Sequence, residues 1–370
     1  MKIFSSEDVL RIAKRFKNTR RNYLLVNPLQ GKHLPTKPSA ALEMMNSLGK
    51  MVAEKFSSAR LVIGFAETAT AIGAVVAKNL SDECFYIQTT REDFNGTFVE
   101  FLEEHSHAPE QKLFAENLST LINQTSEIIF VDDELSTGKT LLNIVRQLKN
   151  KFSALNDKKI CAASIINRLS EENLAALAAE NIFCVYLVKL EKNFDADKFS
   201  ITSASEVSDA HQKTCPLSVV PFPLQDTRFG VKIGEYFNKC EELGNFIAEN
   251  FRREKFGEVL ILSTEEFMLP AIIVGRKLEE NFSVVTHSTT RSPIGICKDK
   301  NYPIREGFKL RSFYDSTRTT FIYNLKFYDA AIIVTNAENF SEGLEDLISA
   351  LNVHGVGKIF CAEVKNVRDL

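Results

Sequence analysis

Between Asp132 and Thr140 the chain reads Asp-Asp-Glu-Leu-Ser-Thr-Gly-Lys-Thr, and these residue types at this spacing suit one kind of ligand. Ser136, Thr137 and Thr140 offer hydroxyl donors, Lys139 a positive charge, and Gly138 lets the backbone come close to a bulky anion. Leu141, Leu142, Ile144, Val145 and Leu148 then recur at helical spacing, so the turn opens a helix. The first N–H groups of a helix have no partner within it, and its dipole favours an anion there. Asp132 and Asp133 would repel a phosphate. They suit ribose hydroxyls, which donate to carboxylates, or a bound Mg²⁺. A ligand with a sugar diol beside a terminal phosphate fits both halves of the turn. A Walker A loop shares the Gly138-Lys139-Thr140 end, but its required first glycine falls at Asp133.

The stretch resembles the phosphoribosyl-pyrophosphate (PRPP) loop of type I phosphoribosyltransferases: apolar residues, two acids, then a Thr-Gly-Lys-Thr-like run before a helix. That resemblance implies that Asp132 and Asp133 hold the ribose 2′ and 3′ hydroxyls, with Mg²⁺ as an indirect partner. Glu134 belongs to the same loop, and Ser136, Thr137, Gly138, Lys139 and Thr140 cradle the 5′-phosphate. It also implies that the loop after an earlier strand wraps the pyrophosphate, and Glu67, Thr68, Ala69 and Thr70 match it by position. Glu67 suits pyrophosphate only through Mg²⁺ or by positioning a base.

The elements that place these residues alternate. Residues 6–16 have the spacing of a short amphipathic helix capped at Ser5 or Ser6, and Tyr23 to Val26 form a strand. The loop 27–38 carries Lys32, His33 and Lys37, which suit an anion or a solvated turn equally. Ala40 to Phe56 is helical, Leu61 to Phe65 a buried strand, and Ala71 to Leu80 a helix of small residues. Cys84 to Gln88 is the next strand, and Ile128 to Val131 a short one that stops at the acids. The long polar connection 92–111 has the length of a lid. By the family resemblance it stands where a mobile catalytic loop lies. Arg91, Glu104, His105 and His107 are then the candidates to stabilise departing pyrophosphate or move a proton. Lys159 to Asn167 and Ile182 to Lys189 are further strands around a helix at Ser170 to Ala179. Strands alternating with helices imply a mostly parallel sheet covered on both faces, with ligands at the carboxyl ends of its strands.

The chain has 370 residues, enough for two domains, with 44% hydrophobic and 25% charged residues and a net charge of -3. Nothing in that balance points to DNA, and no apolar run is long enough to span a membrane. Seven cysteines are scattered without a C-x-x-C pair, which suits reduced thiols in the cytoplasm. The boundary falls where the pattern is lost, giving 1–205, including an N-terminal hood segment, and 206–370. The second part echoes the first at an offset of about 200 residues. Val259 to Ser263 answers Leu61 to Phe65, Thr289-Thr290-Arg291 answers Thr89-Thr90-Arg91, and Ala331 to Val334 answers Ile128 to Val131. Thr335-Asn336 replaces the acids and Glu342 falls in the turn, so this copy is degenerate. His287, Thr289, Thr290, Arg291 and Ser292 remain there as a possible second substrate or anion site, or as a capped strand end.

Gly64 to Thr70, Glu104-His105-Ser106-His107-Ala108 and Thr290-Arg291-Ser292-Pro293 together resemble one family, which pairs a phosphoribosyltransferase-like domain with a C-terminal TRSP domain. The resemblance implies two tandem α/β, Rossmann-like parallel-sheet domains of type I phosphoribosyltransferase kind, packed as an internal pseudo-dimer, with a homo-oligomer also open. It implies a Mg²⁺-dependent pentosyltransferase. PRPP and an unknown nucleobase-like acceptor would be its substrates, in making a nucleoside-like metabolite for stress and tellurite resistance beside other products of a stress operon. A non-catalytic PRPP or nucleotide sensor, and a nucleotide phosphorylase or hydrolase, use the same loop.

Overall fold

The computed structural model describes residues 2–16, 22–101, 111–191, 194–207, 217–338 and 340–367. The chain opens with α1 (Ser6–Val9) and a hairpin of β1 (Arg11–Lys14) and β2 (Tyr23–Val26). The helix expected over 6–16 is therefore one turn long. From Arg11 onward the backbone pairs with β2 in place of its own preceding turn, and Ala13 goes into a small core with Val26, Ile294 and Tyr323.

The first half continues with α2 (Pro38–Lys55), β3 (Leu61–Gly64), α3 (Thr70–Leu80), β4 (Phe85–Gln88), the hairpin β5 (Phe98–Phe101) and β6 (Gln111–Phe114), and α4 (Leu118–Asn123). Then come β7 (Glu127–Leu135), α5 (Lys139–Lys151), β8 (Lys159–Asn167), α6 (Glu171–Ala179) and β9 (Ile182–Lys189). The second half holds β10 (Ser205–Glu206), β11 (Leu217–Gln225), β12 (Val231–Lys232), α7 (Ile233–Phe251), β13 (Glu258–Ser263), α8 (Leu269–Leu278) and β14 (Ser283–Ser288). It ends with β15 (Gly307–Arg311), β16 (Thr319–Tyr323), β17 (Ala330–Thr335), α9 (Ser341–Val353) and β18 (Lys358–Val367).

Two sheets organise these elements. The first runs β12-β4-β3-β7-β8-β9, with β4 to β9 parallel and β12 antiparallel at the edge. The second runs β14-β13-β17-β18-β11 and is parallel throughout. Read from β4 and from β14, the two orders correspond strand for strand. The fifth strand differs in origin, because β9 follows β8 in the chain whereas β11 comes before α7. All four residues of β3 are buried, as a central strand covered on both faces requires.

The halves exchange edges. β12, from the second half, pairs with β4 at Val231 and Tyr86. Thr36, from the N-terminal segment, bonds Thr286 of β14 in both directions, at 3.0 and 2.7 Å. Each half thus completes the other's sheet, and one hydrophobic cluster holds α2, α3, α7 and α8 together through residues such as Met45, Val75, Leu243 and Ile272. The 205/206 boundary falls inside β10, whose Ser205 and Glu206 pair with Phe308 and Lys309 of β15.

Candidate functional site

β7 runs four residues past the expected strand end at Val131. It pairs with β8 through Asp132 opposite Ser164 and Glu134 opposite Ile166. The acids thus stand in the last part of the strand, not in the loop after it. The turn that follows is set by Gly138, with φ +72°, a left-handed conformation that favours glycine. A Cβ there would lie 3.0 Å from Leu169 Cδ2 and 3.2 Å from Leu177 Cδ1. Gly138 is also the residue before α5, so no side chain caps that helix from this position, and no acid occupies its first turn. Lys139 N–H reaches Thr137 Oγ1 only at 3.4 Å. Thr137, Lys139 and Thr140 are exposed, which leaves the turn open to solvent.

Asp132 and Asp133 are half-buried, and Asp133 N–H donates to Asp132 Oδ1 at 2.9 Å. Among the described residues no cation pairs with either carboxylate. Burial, then the Asp133 charge, pushes the Asp132 carboxyl well above its ordinary range. Burial and the Glu134 charge push Asp133 up as well, opposed in part by the Thr68 hydroxyl. Glu134 lies 3.3 Å from Arg168, whose guanidinium sits over Tyr23 and donates to the Tyr23 hydroxyl at 2.6 Å. It ties the strand end to the N-terminal hairpin.

The loop from Phe65 to Thr70 is positioned from below by Tyr86. Its side chain lies against Gly64 and Gly73, where a Cβ would fall 2.5 Å from the hydroxyl and 2.8 Å from the ring respectively, and the hydroxyl donates to Thr70 C=O at 2.6 Å. Within the loop Glu67 is 7% exposed and Thr68 half-buried, while Ala69 and Thr70 are buried. Glu67 forms an ion pair with Lys32, which is itself 0% exposed and donates to Glu265 C=O and Thr289 C=O. Arg291 N–H donates to the other Glu67 oxygen at 3.2 Å. Burial alone would raise the Glu67 carboxyl, but the charges of Lys32, Arg291 and Arg91 outweigh it and hold the group at about 2. Thr68 C=O accepts from Gln30 Nε2 at 2.6 Å. Lys32 and His33 are thus neither an anion loop nor a solvated turn. Both are buried, and burial, then the Lys32 charge, pushes His33 down to about 3, so its ring stays neutral. Arg91 stands exposed at the end of β4, its N–H bonded to Glu266 at 2.9 Å. Glu104, His105 and His107 lie outside the described residues.

Residues 9–192 match a family described as phosphoribosyl transferase, and residues 225–351 match the TRSP domain that stands C-terminal to it. The chain belongs to this phosphoribosyl transferase family with its TRSP domain. Among solved structures, orotate phosphoribosyltransferase from Aeropyrum pernix is similar at 17% identity and TM-score 0.33, over 50% of this chain and 89% of that one. Adenine phosphoribosyltransferase from Trypanosoma brucei, in complex with AMP, pyrophosphate and ribose-5-phosphate, is similar at 14% identity and TM-score 0.34, over 50% and 77%. The Leishmania tarentolae adenine enzyme gives 15% and 0.35, over 52% and 88%. No curated protein matches the chain.

In the TRSP domain His287, Thr289 and Thr290 are completely buried, and Arg291 and Ser292 are half-buried. His287 Nε2 lies 2.7 Å from Tyr323 C=O, and burial lowers its pKa to about 4. Thr289 Oγ1 accepts from Glu265 N–H at 3.0 Å. Arg291 Nε donates to Glu265 at 2.8 Å, and its other arm pairs with Glu92. This strand end holds the chain's own carboxylates where the sequence suggested an external anion. Arg318 donates to Glu92 at 2.9 Å, and Glu266 accepts from Thr90 Oγ1 at 2.7 Å, so the phosphoribosyl transferase domain and the TRSP domain meet through one buried charge network. Sequence reasoning passed over Glu92, Glu265, Glu266 and Arg318. One signal was present: Glu265 follows β13 as Glu67 follows β3.

Proposed function

We propose that the protein transfers the 5-phosphoribosyl group of PRPP to a ring nitrogen of a nucleobase-like acceptor. The N–C1′ bond forms as the C1′–O bond to pyrophosphate breaks. The electron pair leaves with pyrophosphate, and the acceptor nitrogen gives its proton to solvent or a nearby base. The observation that carries this reading is the carboxylate couple Asp132 and Asp133, without a cation partner among the described residues, shortly before an open helix-start turn. The couple accepts hydrogen bonds from the ribose hydroxyls, and the N–H groups of residues 138–140 with Ser136 and Thr137 hold the 5′-phosphate. Thr68, beside Asp133, faces the same ligand, and Arg91 offers charge to the pyrophosphate side. The family resemblance gives Glu104, His105 and His107, which lie outside the described residues, the part of moving a proton and stabilising the departing pyrophosphate.

A divalent cation fits the couple, because burial and mutual repulsion leave it short of positive charge. Among the described residues no group of three or more His, Cys, Asp or Glu forms a cage, so Mg²⁺ held by Asp132 and Asp133 takes its remaining oxygens from ligand and water. When bound, it screens the charge of the leaving pyrophosphate. The role in a stress or tellurite-resistance setting rests on the family resemblance. No helix among the described residues is long and apolar enough to cross a membrane, and six cysteines there are free, which supports a reducing, cytoplasmic setting.

The test is PRPP-dependent pyrophosphate release with a cellular metabolite extract as the acceptor source. Release that falls at least a hundredfold in Asp132→Asn/Asp133→Asn is the expected result. PRPP binding without turnover on any extract would leave a sensor.

A further inference from the structure

The two halves grip each other reciprocally beside the loop from Phe65 to Thr70. Thr89 N–H donates to Gly64 C=O at 2.9 Å, and Thr289 N–H donates to Ser263 C=O at 3.1 Å. Gly64 and Ser263 are therefore equivalent, and Glu266 follows Ser263 at the same distance in the chain as Glu67 follows Gly64. Glu67 accepts from Arg291 N–H at 3.2 Å, and Glu266 accepts from Arg91 N–H at 2.9 Å. Each acid holds the backbone of the arginine that follows the next strand of the other half. The two grips face different surroundings. The first domain keeps its acids at Asp132 and Asp133, whereas the TRSP domain has Thr335-Asn336 in their place. The hold that Glu266 exerts therefore bears on a site in the first domain and not on one in its own.

Glu266 is buried, and both oxygens of its carboxylate accept from the first domain. One takes the Thr90 hydroxyl at 2.7 Å, the other Arg91 N–H. Its own C=O accepts from Thr70 Oγ1 at 2.8 Å, where α3 begins. Glu92, next in the chain, pairs with Arg291 and accepts from Arg318 at 2.9 Å. Groups of the TRSP domain thus hold three successive residues, 90–92, together with the end of the loop from Phe65. The Arg91 side chain stands exposed between these anchors, and its positive charge acts on Glu67 within that loop. Its direction is set by a backbone that the other domain fixes. Loss of the Glu266 carboxylate frees the Arg91 N–H and the Thr90 hydroxyl together, while the Thr70 bond, made to a backbone oxygen, stays. A group aimed at a reacting centre can lose about a hundredfold in effect when displaced by about 1 Å.

We propose that Glu266 of the TRSP domain is a positioning residue for the phosphoribosyl site, holding Arg91 toward the pyrophosphate end of PRPP. This inference rests on the phosphoribosyl reading. Calorimetric titration of the full chain with Mg²⁺ tests it, using ribose 5-phosphate and pyrophosphate as separate probes of the two ends of the site. Glu266→Ala binds pyrophosphate at least tenfold more weakly and ribose 5-phosphate within twofold of wild type. Glu266→Gln stays within threefold for both, because its amide oxygen still accepts from Arg91 N–H while its NH₂ donates to Thr90 Oγ1. Arg91→Ala weakens pyrophosphate at least tenfold, and adding Glu266→Ala to it costs less than twofold more, since no side chain is left to position. If Glu266→Ala does not fold, Glu266→Asp, which keeps the charge but falls short of Arg91, carries the same expectations. Pyrophosphate that does not bind wild type, or binds wild type and Glu266→Ala equally, overturns the proposal. So do equal losses of both probes, or losses that multiply in the double variant, which mark a merely structural role. Ribose 5-phosphate that fails to bind wild type removes the phosphoribosyl reading and this inference with it. Ribose 5-phosphate that binds, with pyrophosphate affinity unmoved in Glu266→Ala, removes this inference alone.

Discussion

Two adjacent half-buried carboxylates without a cation are unfavourable for the folded chain by themselves, and their persistence at the end of β7 makes sense as a ligand site. Their folded-state affinities for protons are raised, so the folded chain holds more protons than the unfolded one above the ordinary carboxylate range. Stability from this pair is therefore present below pH 3.8 and is lost as pH rises above it. Asp132→Asn/Asp133→Asn is expected to melt higher than wild type near neutral pH, by a margin that shrinks on acidification; thermal unfolding between pH 4 and 8 reads it. A lower melting temperature at neutral pH would contradict the assignment. Glu67 behaves oppositely. Its carboxyl is held at about 2 against an ordinary 4.5, so its contribution is full above pH 4.5 and is lost as pH falls toward 2. Removing one partner of a buried pair costs about 3–5 kcal/mol, and Glu67→Gln is expected to lose about that much at pH 7 by chemical denaturation. The acid pair was legible because its two members are neighbours in the chain. The Glu67 network was not, because its partners Lys32 and Arg291 lie far away on either side, and nothing in a stretch of letters reports a contact over that separation.

At the scale of elements, the turn between β7 and α5 depends on the left-handed Gly138. Gly138→Ala is expected to cost about 1–2 kcal/mol from the backbone conformation alone, read by urea unfolding, and to weaken PRPP binding at the same time. A neutral effect on both would show that the turn is not held as described. β3, β4, β7, β8 and β9 of the first sheet and the echoed β13 and β17 of the second were legible from apolar runs, whereas β11 and β12 were not: Leu217–Gln225 carries Pro221 and Pro223 and reads as a linker, yet it pairs with β18 along its length. Two boundaries were not legible either. β7 carries its acids inside the strand because β8 supplies ladder partners as far as Asn167. The N-terminal segment has helical spacing over 6–16, but pairing with β2 and packing near Ile294 win over local preference.

The whole molecule is held together by exchanged edges and a shared core, so neither half is built to stand alone. An inserted protease site within 208–216 is expected to yield two pieces that co-elute under native conditions and separate only on unfolding. Separation as two folded species would contradict the shared core. The near-constant offset between halves was visible in the sequence, yet the exchange of β12 and Thr36 was not, because a repeat shows likeness and not which copy an edge joins. The central claim is that Asp132, Asp133 and the turn beside them hold PRPP. Calorimetric titration of the full chain with PRPP and Mg²⁺ tests it most directly. The account predicts a saturable heat for wild type that disappears in Asp132→Asn/Asp133→Asn; no heat for wild type, or the same heat for both proteins, would contradict it.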